Sequence, residues 1–286
     1  MRREVSAYKH FGRCLVLDNG VVECVASLEF GPRILSFRLL PHGNVFFEQP
    51  ANADYLCSAD GWRVYGGTRF WLAPESEHDV YFPDNGPVCC EPLPDGAVLK
   101  QAVDPRLQVE KTVTLRFSCG APALRVEYAV YNRAEHALTG APWIVSMMGP
   151  GAVLTIPFAC HTFAARPERC VSLWNGTSLT DPRLVLHDDW LRITQTPVDT
   201  YFKLGVLCGT GMARCQVGEQ LFTKRFSGGG DGLFPDGNVN LEVYCCKWMM
   251  EFETLSQLQT IPPGKAATHS ETWRVDRMQD KEAENG

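Results

Sequence analysis

Glu251 and Glu253 stand two residues apart in Met249-Met-Glu-Phe-Glu-Thr-Leu255, and Glu242 precedes them in Val239-Asn-Leu-Glu-Val-Tyr244. Side chains two apart on a strand share a face. A reversal over Cys245-Cys-Lys-Trp248 would then bring Glu242, on the preceding strand, beside one of the pair. Carboxylates crowded together raise one another's pKa, so that one keeps its proton while another accepts one. That is the equipment of acid/base chemistry. The same three residues also suit a solvated sheet face, and both readings are open.

A second segment, Tyr65-Gly-Gly-Thr-Arg-Phe-Trp-Leu-Ala-Pro-Glu75, places two glycines, a guanidinium, two aromatic rings and a carboxylate in eleven residues. Glycines let a backbone approach a ligand closely, Arg69 offers a rigid fork of donors, and Phe70 or Trp71 can cover the apolar C–H face of a pyranose. The mixture suits a polyhydroxylated ligand such as a sugar. Its plainer reading is a turn followed by a buried strand. Arg33, Lys203 and Lys224 are further cations set beside apolar residues, fit for hydroxyls, a sugar acid's carboxylate or a phosphate. Trp143 is a second stacking platform, and His78, close after Glu75 and Glu77, is a candidate proton donor.

The elements that must position these groups read as strands. Cys14-Leu-Val-Leu and Val21-Val-Glu-Cys flank Asp18-Asn-Gly20, a hairpin signal. Val109-Glu-Lys-Thr-Val-Thr-Leu-Arg-Phe117 alternates apolar and polar residues, and β-rich runs recur to Val275. Almost no window keeps helical spacing for three turns. The fold class is therefore all-β, two large packed antiparallel sheets with few short helices. Residues 1–275 are expected to form one domain, with 276–286 a flexible polar tail.

The chain has 286 residues, 45% hydrophobic and 21% charged, with a net charge of −6. It has no dense Lys/Arg run, which argues against a nucleic-acid partner. The charged N-terminus lacks an apolar signal stretch, so a cytoplasmic location is expected. The uncharged run 137–165 is broken by Pro142, Gly149-Pro-Gly151 and Pro157, which suits two buried strands around a turn, Trp143 to Met148 and Ala152 to Phe158, and no membrane span. The twelve cysteines lack metal-ligand spacing and read as reduced, mostly buried small residues, so no metal and no cofactor is expected.

Leu28-Glu-Phe-Gly-Pro-Arg-Ile-Leu-Ser-Phe37, Gly66-Gly-Thr-Arg-Phe-Trp-Leu-Ala-Pro-Glu75, Tyr81-Phe-Pro-Asp-Asn85, Ala141-Pro-Trp143, Lys203-Leu-Gly205, Lys224-Arg-Phe226, Phe234-Pro-Asp-Gly-Asn-Val-Asn-Leu-Glu-Val-Tyr244, Glu251-Phe-Glu-Thr-Leu255 and Thr272-Trp273 follow one another along the chain. In that order they resemble the galactose mutarotase-like superfamily. The resemblance implies a β-supersandwich with a sugar site in a cleft on a concave sheet face. It gives Glu253, which opens Glu253-Thr254, the role of the base that takes the anomeric hydroxyl proton. The family's Asn-His and His-Gly-Gly histidines have no counterpart: Ala141-Pro-Trp143 and Tyr65-Gly-Gly67 stand in their places.

The expected partner is thus a small-molecule carbohydrate, bound by Arg69, Trp71, Glu75, Trp143, Lys203 and Glu251, with Arg33 and Lys224 as further contacts. Glu253 is the candidate base, with His78 or a protonated carboxylate such as Glu242 as donor in an epimerisation or isomerisation. A noncatalytic sugar-binding module is the alternative, and a lyase or hydrolase with paired carboxylates is a further one. Nothing in the sequence sets the oligomeric state.

Overall fold

Strands of alternating burial account for most of the architecture, seen in a computed structural model that describes residues 1–76, 83–159, 169–229 and 232–278. In chain order they are β1 (Arg2–Ala7), β2 (Arg13–Asp18), β3 (Val22–Ser27), β4 (Ile34–Leu39), β5 (Thr68–Ala73), β6 (Val88–Leu93) and β7 (Gly96–Gln101). They continue with β8 (Val109–Phe117), β9 (Ala123–Asn132), β10 (Leu138–Met148), β11 (Val153–Pro157), β12 (Val171–Leu173), β13 (Leu184–Leu186) and β14 (Trp190–Thr194). The last are β15 (Phe202–Val206), β16 (Met212–Val217), β17 (Gln220–Arg225), β18 (Leu241–Cys245), β19 (Met250–Leu255), β20 (Gln259–Ile261) and β21 (Ala266–Arg277). Among the described residues helix is limited to a single turn at Asp54–Leu56, a turn at Pro235–Asn238 that contains left-handed residues, and Met278, and no helix of these residues is long and apolar enough to cross a membrane.

The strands form three antiparallel sheets. β1 to β4 make a four-stranded meander; β12-β15-β18-β19-β10-β20, with β5 also on β10, make a seven-stranded sheet; and β13-β14-β11-β16-β17-β21-β9-β8-β7-β6 make a ten-stranded one. Phe37 of the first sheet, Phe252 of the second, Phe222 and Trp273 of the third, and Phe46 meet in edge-to-face contacts with centroids 5.4–6.4 Å apart. These rings bind the sheets into one core. β21 buries every second residue over most of its length, as a strand with one face on that core must.

β10 behaves differently, because Gly140 to Met148 are buried without interruption. It is an interior strand of its sheet, paired with β19 on one side and with β5 on the other. One face lies on the core and the other lies under the candidate site. The Gly149-Pro-Gly151 reversal then carries the chain from the seven-stranded sheet into the ten-stranded one, since β11 pairs with β14 and β16.

Gly66 and Gly67 serve this packing. Both have positive φ, and a Cβ would lie 2.2 Å from the Phe47 carbonyl oxygen at Gly66 and 2.1 Å from that of Ile34 at Gly67. The glycine pair, read from sequence as room for a ligand, is room for neighbouring backbone. At the C-terminus β21 runs through Arg277, with Asp276 buried and paired with Arg274. The strand therefore includes the first two residues of the expected tail.

Candidate functional site

Registers across the seven-stranded sheet determine which side chains share the face turned away from the core. Trp71 is opposite Trp143. One step along the strands, Arg69, Val145, Glu253 and Glu242 form a continuous row. One step further, Met147, Glu251, Tyr244 and Lys203 form the next. Opposed residues of antiparallel strands project to the same side, so period-two alternation brings groups from five strands together. Phe252 and Thr254 take the intervening positions and point to the core.

These rows lie under a cavity of about 450 Å³, walled by Trp62, Trp71, Trp143, Trp174 and Trp248 and bearing Glu75, Lys203 and Glu251. Lys203 Nζ is the hub. It lies 3.0 Å from Glu242 Oε2, 3.7 Å from Glu253 Oε2 and 3.4 Å from Glu75 Oε2. The rings of Trp143 and Trp174 flank it at 4.6 and 4.8 Å. Trp143 Nε1 donates to Glu253 Oε2 at 2.7 Å, and its ring tilts against Trp71 with centroids 5.0 Å apart. Glu253 Oε1 and Glu242 Oε1 are buried without a hydrogen-bond partner among the described residues.

This crowding sets the protonation states. Burial, and then the charge of Glu253, pushes Glu242 well above the usual carboxylate range. Burial also raises Glu253, against the pull of Lys203 and the Trp143 hydrogen bond. Glu251 is pushed up to about 8 by burial and by Glu253. Burial opposes the charge on Lys203, yet Glu253, Glu242 and Glu75 outweigh it and hold its pKa above the ordinary value. One ammonium cannot balance every carboxylate in a dry site, so protonated and ionised carboxyl groups coexist there. The arrangement can hold a proton and offer an acceptor close by.

The depth of these groups differs. Glu251 and Lys203 face the cavity, whereas Glu242 and Glu253 are fully buried beneath it. Arg69 is buried as well, between the rings of Trp62 and Trp71 at 4.8 and 5.2 Å. Its Nη2 donates to the Arg63 carbonyl at 2.6 Å and to Asp84 Oδ1 at 3.1 Å. Burial and Arg33 lower its pKa to about 10, which leaves it charged at neutral pH.

Two expected ligand contacts have structural partners instead. Arg33 is buried; its Nη1 donates to the carbonyls of Val64 and Gly66, and its Nη2 to Asp84 Oδ2 at 2.9 Å. Asp84 thus clamps Arg33 and Arg69 together. Burial opposes its charge, but the two guanidiniums outweigh that and hold its carboxyl below the usual range. Lys224 lies on the core side of β19, fully buried, with Nζ 3.1 Å from Glu271 Oε1 and donating to Ser146 Oγ and the Phe252 carbonyl. Glu271 also accepts from Trp273 Nε1 at 2.7 Å and from Thr254 Oγ1. An alternating strand turns Lys224 inward, away from any ligand. His78 lies outside the described residues.

The sequence reading missed Asp84, Trp62, Trp174 and Trp248. The tryptophans lie outside the strands, where no alternation marks them. Among the described residues no three His, Cys, Asp or Glu side chains are grouped as metal ligands.

No protein-family model matches the chain, and no curated protein matches it. Solved structures do. A galactose mutarotase-like protein from Lactobacillus casei superposes with a TM-score of 0.59 at 12% identity, over 92% of this chain and 100% of that one. A galactose mutarotase-like protein from Clostridium acetobutylicum gives 0.56 at 11% identity, over 97% and 98%. A galactose mutarotase related enzyme from Lactobacillus acidophilus gives 0.52 at 9% identity, over 93% and 98%. The chain has the galactose mutarotase-like β-sandwich fold.

Proposed function

We infer that the protein binds a carbohydrate in the tryptophan-walled cavity and exchanges protons at the sugar's anomeric centre, as an aldose 1-epimerase-like isomerase. The observation that carries this reading is the meeting of indole faces with Glu251, Lys203 and Glu75 in one cavity of the seven-stranded sheet. Indole rings cover the apolar C–H faces of a pyranose, while carboxylates and an ammonium take its hydroxyls. The neighbours of the same fold named as mutarotase-like or mutarotase-related support the sugar class.

In the reaction, a carboxylate accepts the proton of the anomeric hydroxyl as a protonated carboxyl gives one to the ring oxygen. The bond from the anomeric carbon to the ring oxygen breaks, and an open-chain aldehyde forms. Rotation and the reverse transfers close the other anomer. Glu253 is the base of this scheme. Glu251, which faces the cavity and keeps its proton up to about pH 8, is the donor. For a hydroxyl to reach Glu253, the Lys203 ammonium must move off it, and Glu75 is the partner toward which it can turn.

The burial of Glu253 and Glu242 favours a second reading, a noncatalytic sugar-binding protein with the same cavity. Anomer interconversion followed by NMR over a sugar panel separates the two. The isomerase reading expects a catalysed rate that falls about 100-fold or more in Glu253→Gln and in Glu251→Gln. Binding without acceleration by the wild type supports the second reading, and absence of binding defeats both.

A further inference from the structure

The cavity has two halves of different chemistry. Its inner half carries Lys203, Glu251 and Glu75 beside Trp143 and Trp174. One same-face step outward, Tyr201 precedes Lys203 by two residues and Met249 precedes Glu251 by two. That step is about 7 Å along the strand, room for a second ring beside the first. The described residues of the outer half are largely aromatic and carry no net charge. Tyr201 lies against Tyr244 with centroids 5.9 Å apart, and Tyr55 lies on Trp248 at 4.9 Å. Beside this rim Lys247 and Asp199 pair at 2.6 Å and cancel each other's charge, and the ammonium lies over Trp248 at 5.0 Å.

Both tyrosines are bare to solvent, Tyr201 at 59% and Tyr55 at 63% exposure. Yet each is held in place by a neighbouring ring. Exposed aromatic rings fixed at a cavity mouth leave apolar faces without a protein partner. Five of the seven tryptophans line the same cavity, more stacking surface than the two faces of one pyranose can use.

We propose that the cavity takes a disaccharide or the end of a longer glycan. The first sugar ring sits against Glu251 and Lys203, and the second sits in an outer subsite formed by Tyr201, Trp248 and Tyr55. This rests on the carbohydrate reading and narrows it from sugars in general to linked sugars.

Calorimetric titration of the wild type, Tyr201→Ala and Tyr55→Ala with glucose, galactose, maltose, cellobiose and lactose tests the subsite. Both tyrosines are exposed, so the variants keep the fold. At least one disaccharide is expected to bind about tenfold more tightly than its component monosaccharides. Each variant is expected to reduce that advantage about fivefold while leaving monosaccharide affinity within about twofold. Equal affinity for mono- and disaccharides, or a disaccharide advantage that both variants keep, overturns the outer subsite alone. No binding by any of the five sugars overturns the carbohydrate reading and the subsite with it.

Discussion

Glu242 and Glu253 face each other across β18 and β19, with the Lys203 ammonium 3.0 Å from one carboxylate and 3.7 Å from the other. Neither carboxylate has solvent to lean on. The ammonium is therefore the group that makes one ionised carboxylate tolerable in a buried site. It leaves the second carboxylate to keep a proton.

Lys203→Met removes that cation. The expected cost is about 3–5 kcal/mol, the range for breaking a buried ion pair from one side. Adding Glu253→Gln to Lys203→Met should recover part of it, because the amide removes the ionised carboxylate that the single variant strands. Urea unfolding of both variants at neutral pH measures the difference.

Glu251 gives a pH signature. Its folded value near 8 lies above the ordinary 4.5, so between those values the native state holds a proton that the unfolded chain has released. Stability from this group is present at low pH and declines as pH rises through 8. Glu251→Gln should flatten the part of that decline that falls between pH 5 and 8 in unfolding curves taken from pH 5 to 9. In the isomerase reading rising pH also deprotonates the Glu251 donor, so catalysed interconversion by the wild type should fall as pH passes 8.

The core-side pair behaves in the opposite sense. Burial opposes the charge on Glu271, but Lys224 and His269 outweigh it and hold the carboxyl at about 2, below the ordinary 4.5. Its contribution is complete above about 4.5 and disappears as pH falls toward 2. Lys224→Met should cost about 3–5 kcal/mol at neutral pH. Lys224→Met with Glu271→Leu should cost less, as thermal unfolding of the single and double variants would show.

Gly67→Ala tests the packing role of the glycine pair. A Cβ there meets the Ile34 carbonyl oxygen at 2.1 Å with φ at 67°, so a loss of about 1–3 kcal/mol or more is expected. A variant as stable as the wild type in chemical denaturation would show that the backbone at this position has room to spare.

How much of this was legible in the sequence depended on the range of the contacts. The carboxylates of β18 and β19 could be placed because alternation and a short reversal are local rules: Glu242, Glu251 and Glu253 fall on one face whatever the rest of the chain does. Lys224 could not be placed. Its partner Glu271 is distant in sequence, and an apolar neighbourhood with one lysine reads alike for a snorkelling surface residue and a buried ion pair. Arg33 and Arg69 were recognised as unusual cations, but their destination was set by Asp84 in a loop, which only tertiary closure brings to them. The tryptophan walls at Trp62, Trp174 and Trp248 were hidden for the same reason.

The most direct test of the carbohydrate site is sugar binding followed by tryptophan fluorescence, in the wild type and in two variants. Trp174→Ala removes a cavity wall that flanks Lys203. Trp190→Phe alters a ring on β14 of the ten-stranded sheet, where it stacks on His187. If the cavity is the site, the wild type gives a saturable change, Trp174→Ala loses at least about tenfold in affinity, and Trp190→Phe binds as the wild type does. Saturable binding that survives Trp174→Ala unchanged, or no saturable change with any sugar, would contradict it.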